Sequence, residues 1–87
     1  MKKKVAFQLH APGAKVVQLV GEFTEWEVGA KRMTRKRDDK HTFTASVDLS
    51  PGVYEYKFIV DGEWWEDPQA ERRWNCFGTT NSLVHVA

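Results

Sequence analysis

Cysteine is almost absent from this chain of 87 residues, which contains only Cys76. A single cysteine excludes an internal disulfide. Chains without disulfides are typical of reducing compartments, so we expect a cytoplasmic location.

Long apolar runs are also missing. No run approaches the roughly 18 residues that a membrane-spanning helix requires. The opening, MKKKVAFQLHAPGAK, is basic, but polar residues interrupt the apolar segment that a signal peptide needs. No Gly follows Met1, so the signal for myristoylation is absent too. These features predict no membrane partner.

Neither sign of charge is in excess. The chain has 13 Lys and Arg against 12 Asp and Glu, which gives a formal net charge of +1. Such a protein has no net field to attract nucleic acid or an anionic membrane, so its partner must be recognised locally. The length predicts one domain over residues 1–87, with one modest core and no room for an enclosed enzyme cleft.

What the chain does contain is side-chain alternation with a period of two. In HTFTASVDL (41–49) the apolar residues Phe43, Ala45, Val47 and Leu49 alternate with polar ones, which predicts a half-buried strand. VYEYKFIV (53–60) alternates in the same way. The same period predicts strands over 4–10, 15–23 and 81–86.

Turn signals separate these segments. They are Ala-Pro-Gly at 11–13, Asp-Asp-Lys at 38–40, Ser-Pro-Gly at 50–52 and Asp-Gly at 61–62. No window of the chain has a good helical period. Short strands with turns between them predict an all-β fold, an immunoglobulin-like antiparallel β-sandwich of about seven strands.

Two adjacent tryptophans follow the Asp-Gly turn in VDGEWWEDP (60–68). A two-residue Asp-Gly loop favours a type I′ turn, which would place Ile59 opposite Trp64, Phe58 opposite Trp65 and Lys57 opposite Glu66. Directly opposed residues share a face of the sheet. Trp65 is therefore predicted in the core with Phe58, and Trp64 on the outer face beside Ile59 and Lys57.

Other aromatic and polar residues have no evident role in a core. Trp26 lies in a predicted loop within GEFTEW, and WNCFGTTN (74–81) brings aromatic, hydroxyl and amide groups together before the last strand. The apolar face of a pyranose stacks on an aromatic ring, while its hydroxyls need fixed hydrogen-bond partners. This combination of residues is what a sugar requires.

The same segments carry a family resemblance. GEFTEW, YEYKFIVDGEWWEDP and FGTTNSLVHV resemble the glycogen-binding domain of the AMP-activated protein kinase beta subunit and, more widely, the family 48 carbohydrate-binding modules found beside isoamylases and branching enzymes. The likeness extends from Val5 to Val86. It implies an early-set immunoglobulin-like sandwich that binds α-1,4-glucans such as glycogen, starch or maltooligosaccharides without catalysis.

The resemblance also implies roles for individual residues. Trp26 and Trp64 match the two tryptophans that stack on glucose. Lys57, Thr79 and Asn81 match the side chains that hydrogen-bond sugar hydroxyls. Phe77 stands where the kinase-type domains have a leucine that wedges against the glucan, so this contact is expected in altered form.

Some features depart from the family pattern. Trp65 and Trp74 are not fixed family positions, and Trp74 could either extend the aromatic surface or pack beside Pro68. The resemblance implies a glycogen-metabolising enzyme or a kinase as a partner. The sequence has neither the kinase-binding segment that follows this domain in the kinase subunits nor the myristoylated segment that precedes it, and we therefore expect a free-standing module or a fragment of a larger protein.

The sequence also bears on other classes of function. A glycosidase needs a pair of carboxylates, one of them with a raised pKa, but Glu63, Glu66 and Asp67 lie on or beyond an exposed hairpin arm. The three histidines and Cys76 lack the spacing of a metal site, and no cofactor is expected.

Nucleic-acid binding is a further alternative, because basic residues mixed with aromatic ones can bind single strands. The chain has two such basic clusters: Arg32, Arg35, Lys36 and Arg37, and Arg72 with Arg73 before Trp74. A protein-interaction module without glucan affinity is the alternative that the fold class leaves open.

Overall fold

A computed structural model describes residues 1–87 as two antiparallel sheets. The strands are β1 (Lys3–His10), β2 (Val17–Gly21), β3 (Lys31–Arg32), β4 (Thr34–Arg35), β5 (Thr42–Leu49), β6 (Gly52–Val60), β7 (Glu63–Trp65), β8 (Glu71–Trp74) and β9 (Thr80–Val86). Two 3-10 turns, Glu22–Thr24 and Trp26–Gly29, follow β2. Because β3 and β4 have only two residues each, seven strands of three residues or more remain.

The sheets differ in size. The smaller has the order β1-β5-β4, and the larger has the order β3-β2-β6-β9-β8. Strand β9 pairs with the first part of β6, residues 52–56, and strand β7 pairs with its last part, residues 58–60. The fold is an antiparallel β-sandwich of the immunoglobulin-like kind, as the alternation predicted.

The core lies between the sheets and is built from alternate residues of the long strands. Its large members include Phe7, Leu9, Leu19, Phe43, Leu49, Tyr56 and Phe58. Phe7 of the smaller sheet meets Tyr56 of the larger one edge to face, with 5.0 Å between ring centroids. The other face of the larger sheet is therefore free to carry a site.

Strand β2 ends at Gly21, two residues before the predicted end at Phe23. Gly21 pairs with Tyr56, and a Cβ added at Gly21 would lie 2.7 Å from the Glu55 carbonyl oxygen. This close approach requires glycine. Phe23 then leaves the strand and stacks on Phe7 with centroids 5.5 Å apart, so it supports the core from the first 3-10 turn.

The β6–β7 hairpin has the predicted register. Asp61 and Gly62 have φ values of 49° and 87°, the positive pair that a type I′ turn requires. The Asp61 carboxylate also accepts the backbone N–H of Val16 at 2.8 Å, which ties the turn to the start of β2. Ile59 lies opposite Trp64, and Phe58 lies opposite Trp65.

Two predictions about this hairpin are wrong. Trp65 shares a face with buried Phe58 but is 38% exposed and lies outside the core cluster. Its strand pairs with β6 alone, so no further strand covers it on that side. Pairing stops at Trp65, and Glu66 does not oppose Lys57.

The segment between β7 and β9, for which the alternation predicts no strand, contains one. After β7 the chain turns at Asp67, whose carboxylate accepts the Gln69 N–H at 3.0 Å, a local hydrogen bond that favours turns. Strand β8 then pairs with β9 at the edge of the larger sheet. This strand places Trp74 opposite Thr80, the first residue of β9.

Candidate functional site

The outer face of the larger sheet carries an open cleft of about 870 Å³. All six residues that the sequence analysis assigned to a sugar site line it: Trp26, Lys57, Trp64, Phe77, Thr79 and Asn81. They come from the turn after β2, from β6, β7 and β9, and from the loop between β8 and β9. The fold therefore brings together residues that lie up to 55 positions apart in the sequence.

Trp26 is held by an unusual backbone. Both Glu25 and Trp26 have left-handed φ values, 54° and 55°, which are uncommon for residues other than glycine. The Thr24 hydroxyl stabilises this bend, because it accepts the Gly21 N–H at 3.0 Å and lies 2.9 Å from the Trp26 carbonyl oxygen. The turns also contact β2. Trp26 consequently lies in a turn whose backbone is held by the Thr24 hydrogen bonds, which we call the braced turn.

Trp64 and Lys57 lie on neighbouring strands of the outer face. Trp64 is 49% exposed, and the Lys57 Nζ lies 5.9 Å from the centroid of its ring. The same ammonium group donates a hydrogen bond of 3.5 Å to Thr79 Oγ1. This side chain thus connects the β7 tryptophan to the β8–β9 loop.

Asn75 organises the β8–β9 loop, and the sequence analysis gave it no role. Its Oδ1 accepts the backbone N–H groups of Phe77 and Thr79 at 2.9 and 3.1 Å. Its Nδ2 donates to Thr79 Oγ1 at 2.8 Å and to Asn81 Oδ1 at 3.2 Å. The amide is saturated by these contacts, so Asn75 positions its neighbours. The Asn in WNCFGTTN, a residue that favours such side-chain turns, is the signal that could have found it.

These contacts leave particular atoms for a ligand. Thr79 Oγ1 accepts from both Lys57 and Asn75, so its own proton is free to be donated. Asn81 is only 7% exposed, and its Nδ2 donates to Glu55 Oε1 at 2.9 Å. Of the predicted polar residues, Thr79 and Lys57 are more accessible than Asn81.

Two further aromatic side chains line the same cleft. Phe77 is 86% exposed and Trp74 is 75% exposed, the latter from the last position of β8. Neither belongs to the core. The cleft thus combines four aromatic rings with a connected set of polar groups.

Carboxylates also line the cleft, but most are engaged. Glu22 accepts the Glu55 N–H at 2.8 Å, and the Glu55 carboxylate bonds Asn81 and lies 3.6 Å from Arg73 Nη1. Only Glu27 has no hydrogen bond or ion pair of its own side chain. The carboxylates near the site therefore act mainly as structural acceptors.

Of the three acids on or beyond the hairpin arm, Glu66 and Asp67 have structural partners, whereas Glu63 is exposed. Glu66 accepts the Thr80 hydroxyl and pairs with Arg72 at 3.8 Å. Asp67 accepts the Tyr56 hydroxyl at 2.7 Å. Burial, and then this hydrogen bond, raise the pKa of Tyr56 above its usual range. The carboxylates of Glu66 and Asp67 therefore stabilise the fold.

Several residues of the basic clusters are also engaged. Arg35 donates to the Ala14 carbonyl at 2.9 Å, while Arg72 and Arg73 face Glu66 and Glu55. No group of three or more His, Cys, Asp or Glu residues is arranged to hold a metal ion. No helix has the length and apolar character needed to cross a bilayer.

An immunoglobulin-like β-sandwich with an open, aromatic-lined cleft on one outer face is the architecture of a carbohydrate-binding module. Comparison with known families identifies which one. The family described as "Glycogen recognition site of AMP-activated protein kinase" matches residues 4–87, and the chain belongs to this family.

Individual relatives agree with this assignment. The chain is 36% identical over 74 residues to 5'-AMP-activated protein kinase subunit beta-2 of Homo sapiens and of Mus musculus, which is 85% of this chain and 26% of each relative. It is equally similar to subunit beta-1 of Sus scrofa, of which the match covers 57%. The matched region is thus only part of each kinase subunit.

Proposed function

We propose that residues 1–87 form one non-catalytic domain that binds α-1,4-glucan, such as glycogen, starch or maltooligosaccharides. One observation carries the proposal. The six residues that match sugar-binding positions all line a single open cleft, although five separate parts of the fold supply them. Membership of the glycogen-recognition family supports the same ligand class.

In this proposal Trp26 and Trp64 supply the stacking surfaces. Each ring would cover the apolar C–H face of one glucose unit. The braced turn holds Trp26, and pairing with Ile59 holds Trp64, so little conformational entropy is lost when sugar binds. An open cleft suits a polymer, because the chain can enter and leave at both ends.

The polar groups would fix the register of the glucan. Lys57 keeps N–H groups beyond the one that contacts Thr79, and the Thr79 proton is free for a sugar oxygen. Asn81, being mostly buried, would contribute through its second amide proton. Phe77 would contact the glucan as an exposed apolar wedge.

A single site would bind a short glucan with low affinity, whereas binding to a polymer would be stronger. A shallow surface with few hydrogen bonds gives dissociation constants on the order of micromolar to millimolar, and repeated sites on a glucan raise the avidity. The engaged carboxylates support a binding role and no hydrolysis.

The proposal extends to partners and location. Because relatives are kinase subunits by name, a kinase is one candidate for the protein that uses this module, and a glycogen-metabolising enzyme is another. A cytoplasmic location fits the lone cysteine. No cofactor, nucleic acid or membrane is part of the proposed activity.

The test compares α- with β-linked glucans of similar length. Maltoheptaose and a cello-oligosaccharide are titrated into the protein and followed by calorimetry and tryptophan fluorescence, and retardation in a glycogen-containing native gel gives a second readout. We expect heat, a fluorescence change and retardation only with the α-linked sugars. Absence of binding at millimolar maltoheptaose would contradict the proposal and favour a protein-interaction module.

A further inference from the structure

Trp74 is an exposed tryptophan that none of the matched sugar-binding positions explains. Its side chain is 75% exposed and contributes nothing to the core. The expectation that it could pack beside Pro68 finds no support in this exposure. A large, rigid aromatic ring left in water at the rim of a binding cleft is typical of a contact residue.

The backbone of Trp74 is held rigidly. It pairs with Thr80 at the end of the β8–β9 ladder. The next residue, Asn75, donates its N–H to the Thr79 carbonyl at 2.8 Å and fixes the loop with its side chain. Strand β8 is the edge strand of the sheet, so no neighbouring strand covers the ring. Ligand binding at Trp74 would therefore require little reordering.

Trp74 also lies at the far side of the cleft from Trp26. Strands β2 and β8 are separated by β6 and β9. Three steps of about 4.8 Å between strands place them roughly 14 Å apart. The Trp26 turn follows β2 and contacts it, whereas Trp74 ends β8, and both line the same cleft. The polar groups of Lys57 and Asn81 lie on the two strands between them.

We propose that Trp74 is a third stacking surface that extends the site along the glucan, so that the protein selects longer α-1,4-linked segments over short ones. This inference rests on the proposed function. Trp26, Trp64 and the polar groups would bind the units common to all ligands. Only an oligosaccharide long enough to pass the polar groups would also cover the Trp74 ring.

The test measures chain-length dependence. Maltotetraose and maltoheptaose are titrated by calorimetry into the wild-type chain, Trp74→Thr and Trp74→Phe. Threonine is chosen because it is favourable in a strand. For Trp74→Thr we expect an affinity loss of about tenfold for maltoheptaose and less than about twofold for maltotetraose. Trp74→Phe keeps an aromatic face and should retain most of the maltoheptaose affinity.

The outcomes separate this inference from the proposed function. Equal losses for both sugars, or no loss for either, would overturn the third surface while glucan binding by the wild type stands. Failure of the wild type to bind either sugar would overturn the proposed function itself. Thermal unfolding of each variant checks the fold, and Trp74→Val, which also removes the ring and is favourable in a strand, replaces Trp74→Thr if that variant is unstable.

Discussion

The Lys57 ammonium nitrogen lies 5.9 Å from the centroid of the Trp64 ring and 3.5 Å from Thr79 Oγ1. The Lys57 ammonium group therefore contacts both an aromatic ring and a hydroxyl group of the cleft. The alternation of β6 makes this possible, because it directs Phe58 into the core and Lys57 to the outer face. In the proposed complex, Lys57 joins the stacking and the hydrogen-bonding parts of the site.

Replacing Lys57 with Met should weaken glucan binding and leave the fold intact. Met keeps an unbranched apolar stem but removes the charged donor, and hydrogen bonds to charged groups contribute about 1.5–3 kcal/mol. We expect an affinity loss of about tenfold or more for maltoheptaose in calorimetry. The melting temperature should stay close to that of the wild type. Unchanged affinity would remove Lys57 from the site.

Asn75→Ala should loosen the β8–β9 loop, because the Asn75 amide is fully engaged in contacts within the protein. The substitution leaves the N–H groups of Phe77 and Thr79 without their side-chain acceptor. We expect a loss of about 1–2 kcal/mol in the free energy of unfolding in urea, because these contacts are partly exposed. Amide exchange at Thr79 should accelerate, and maltoheptaose affinity should fall.

Gln69→Ala is the matched control for Asn75→Ala. Gln69 is exposed, lies outside the cleft and makes no side-chain hydrogen bond. It should leave exchange at Thr79 and sugar affinity unchanged. If Asn75→Ala behaves like this control, the network does not organise the loop.

Tyr56 should make stability sensitive to alkaline pH. Burial and the bond to Asp67 raise the pKa of its phenol in the folded state, whereas the unfolded phenol titrates near its usual value of about 10. Below that pH both states hold the proton, and its contribution to stability is fully present. Above it the unfolded state loses the proton first, so the free energy of unfolding falls by up to about 1.4 kcal/mol per pH unit.

Urea unfolding between pH 8 and 11 compares the wild type with Tyr56→Phe. The variant lacks the phenol and should show a shallower decline above pH 10, although it is less stable at neutral pH by about 1–2 kcal/mol. The difference between the two curves isolates this tyrosine from the lysines. Parallel curves would show that Tyr56 ionises equally in both states.

Phe58 and Trp65 face each other across the hairpin but should differ in their effect on stability. Phe58 is fully buried, and its truncation to Ala should cost about 3–5 kcal/mol. Trp65 is partly exposed at a short edge strand, so Trp65→Ala should cost less, about 2 kcal/mol. Urea unfolding of both variants checks this order, and a larger loss for Trp65→Ala would place that ring in the core.

Much of the fold could be predicted because it depends on local alternation. The inward faces of β1, β5 and β6 follow from a period of two, and the Asp-Gly turn set the register that places Trp64 on the outer face. The register of a strand determines on which face of the sheet a side chain lies, but not how deeply that side chain is buried. The exposure of Trp65 therefore depended on which strands surround β7.

Other elements depend on tertiary contacts that leave no pattern. Strand β8, with the sequence ERRW, has no alternation and exists because β9 offers it a partner. The left-handed backbone at Glu25 and Trp26 depends on the Thr24 hydroxyl and the close packing at Gly21. The individual roles of the six site residues came from a family resemblance, whereas Asn75 and the clustering of Trp74 with them came from the structure.

In the proposed complex the adjacent tryptophans have separate roles, with Trp64 in the ligand site and Trp65 outside it. Calorimetric titration of β-cyclodextrin into the wild type, Trp64→Ala and Trp65→Ala tests this most directly. The two variants remove the same ring from neighbouring positions of one strand. We expect Trp64→Ala to lose at least about tenfold in affinity, and Trp65→Ala, if folded, to bind like the wild type. Wild-type affinity in Trp64→Ala, or a loss confined to Trp65→Ala, would contradict the account.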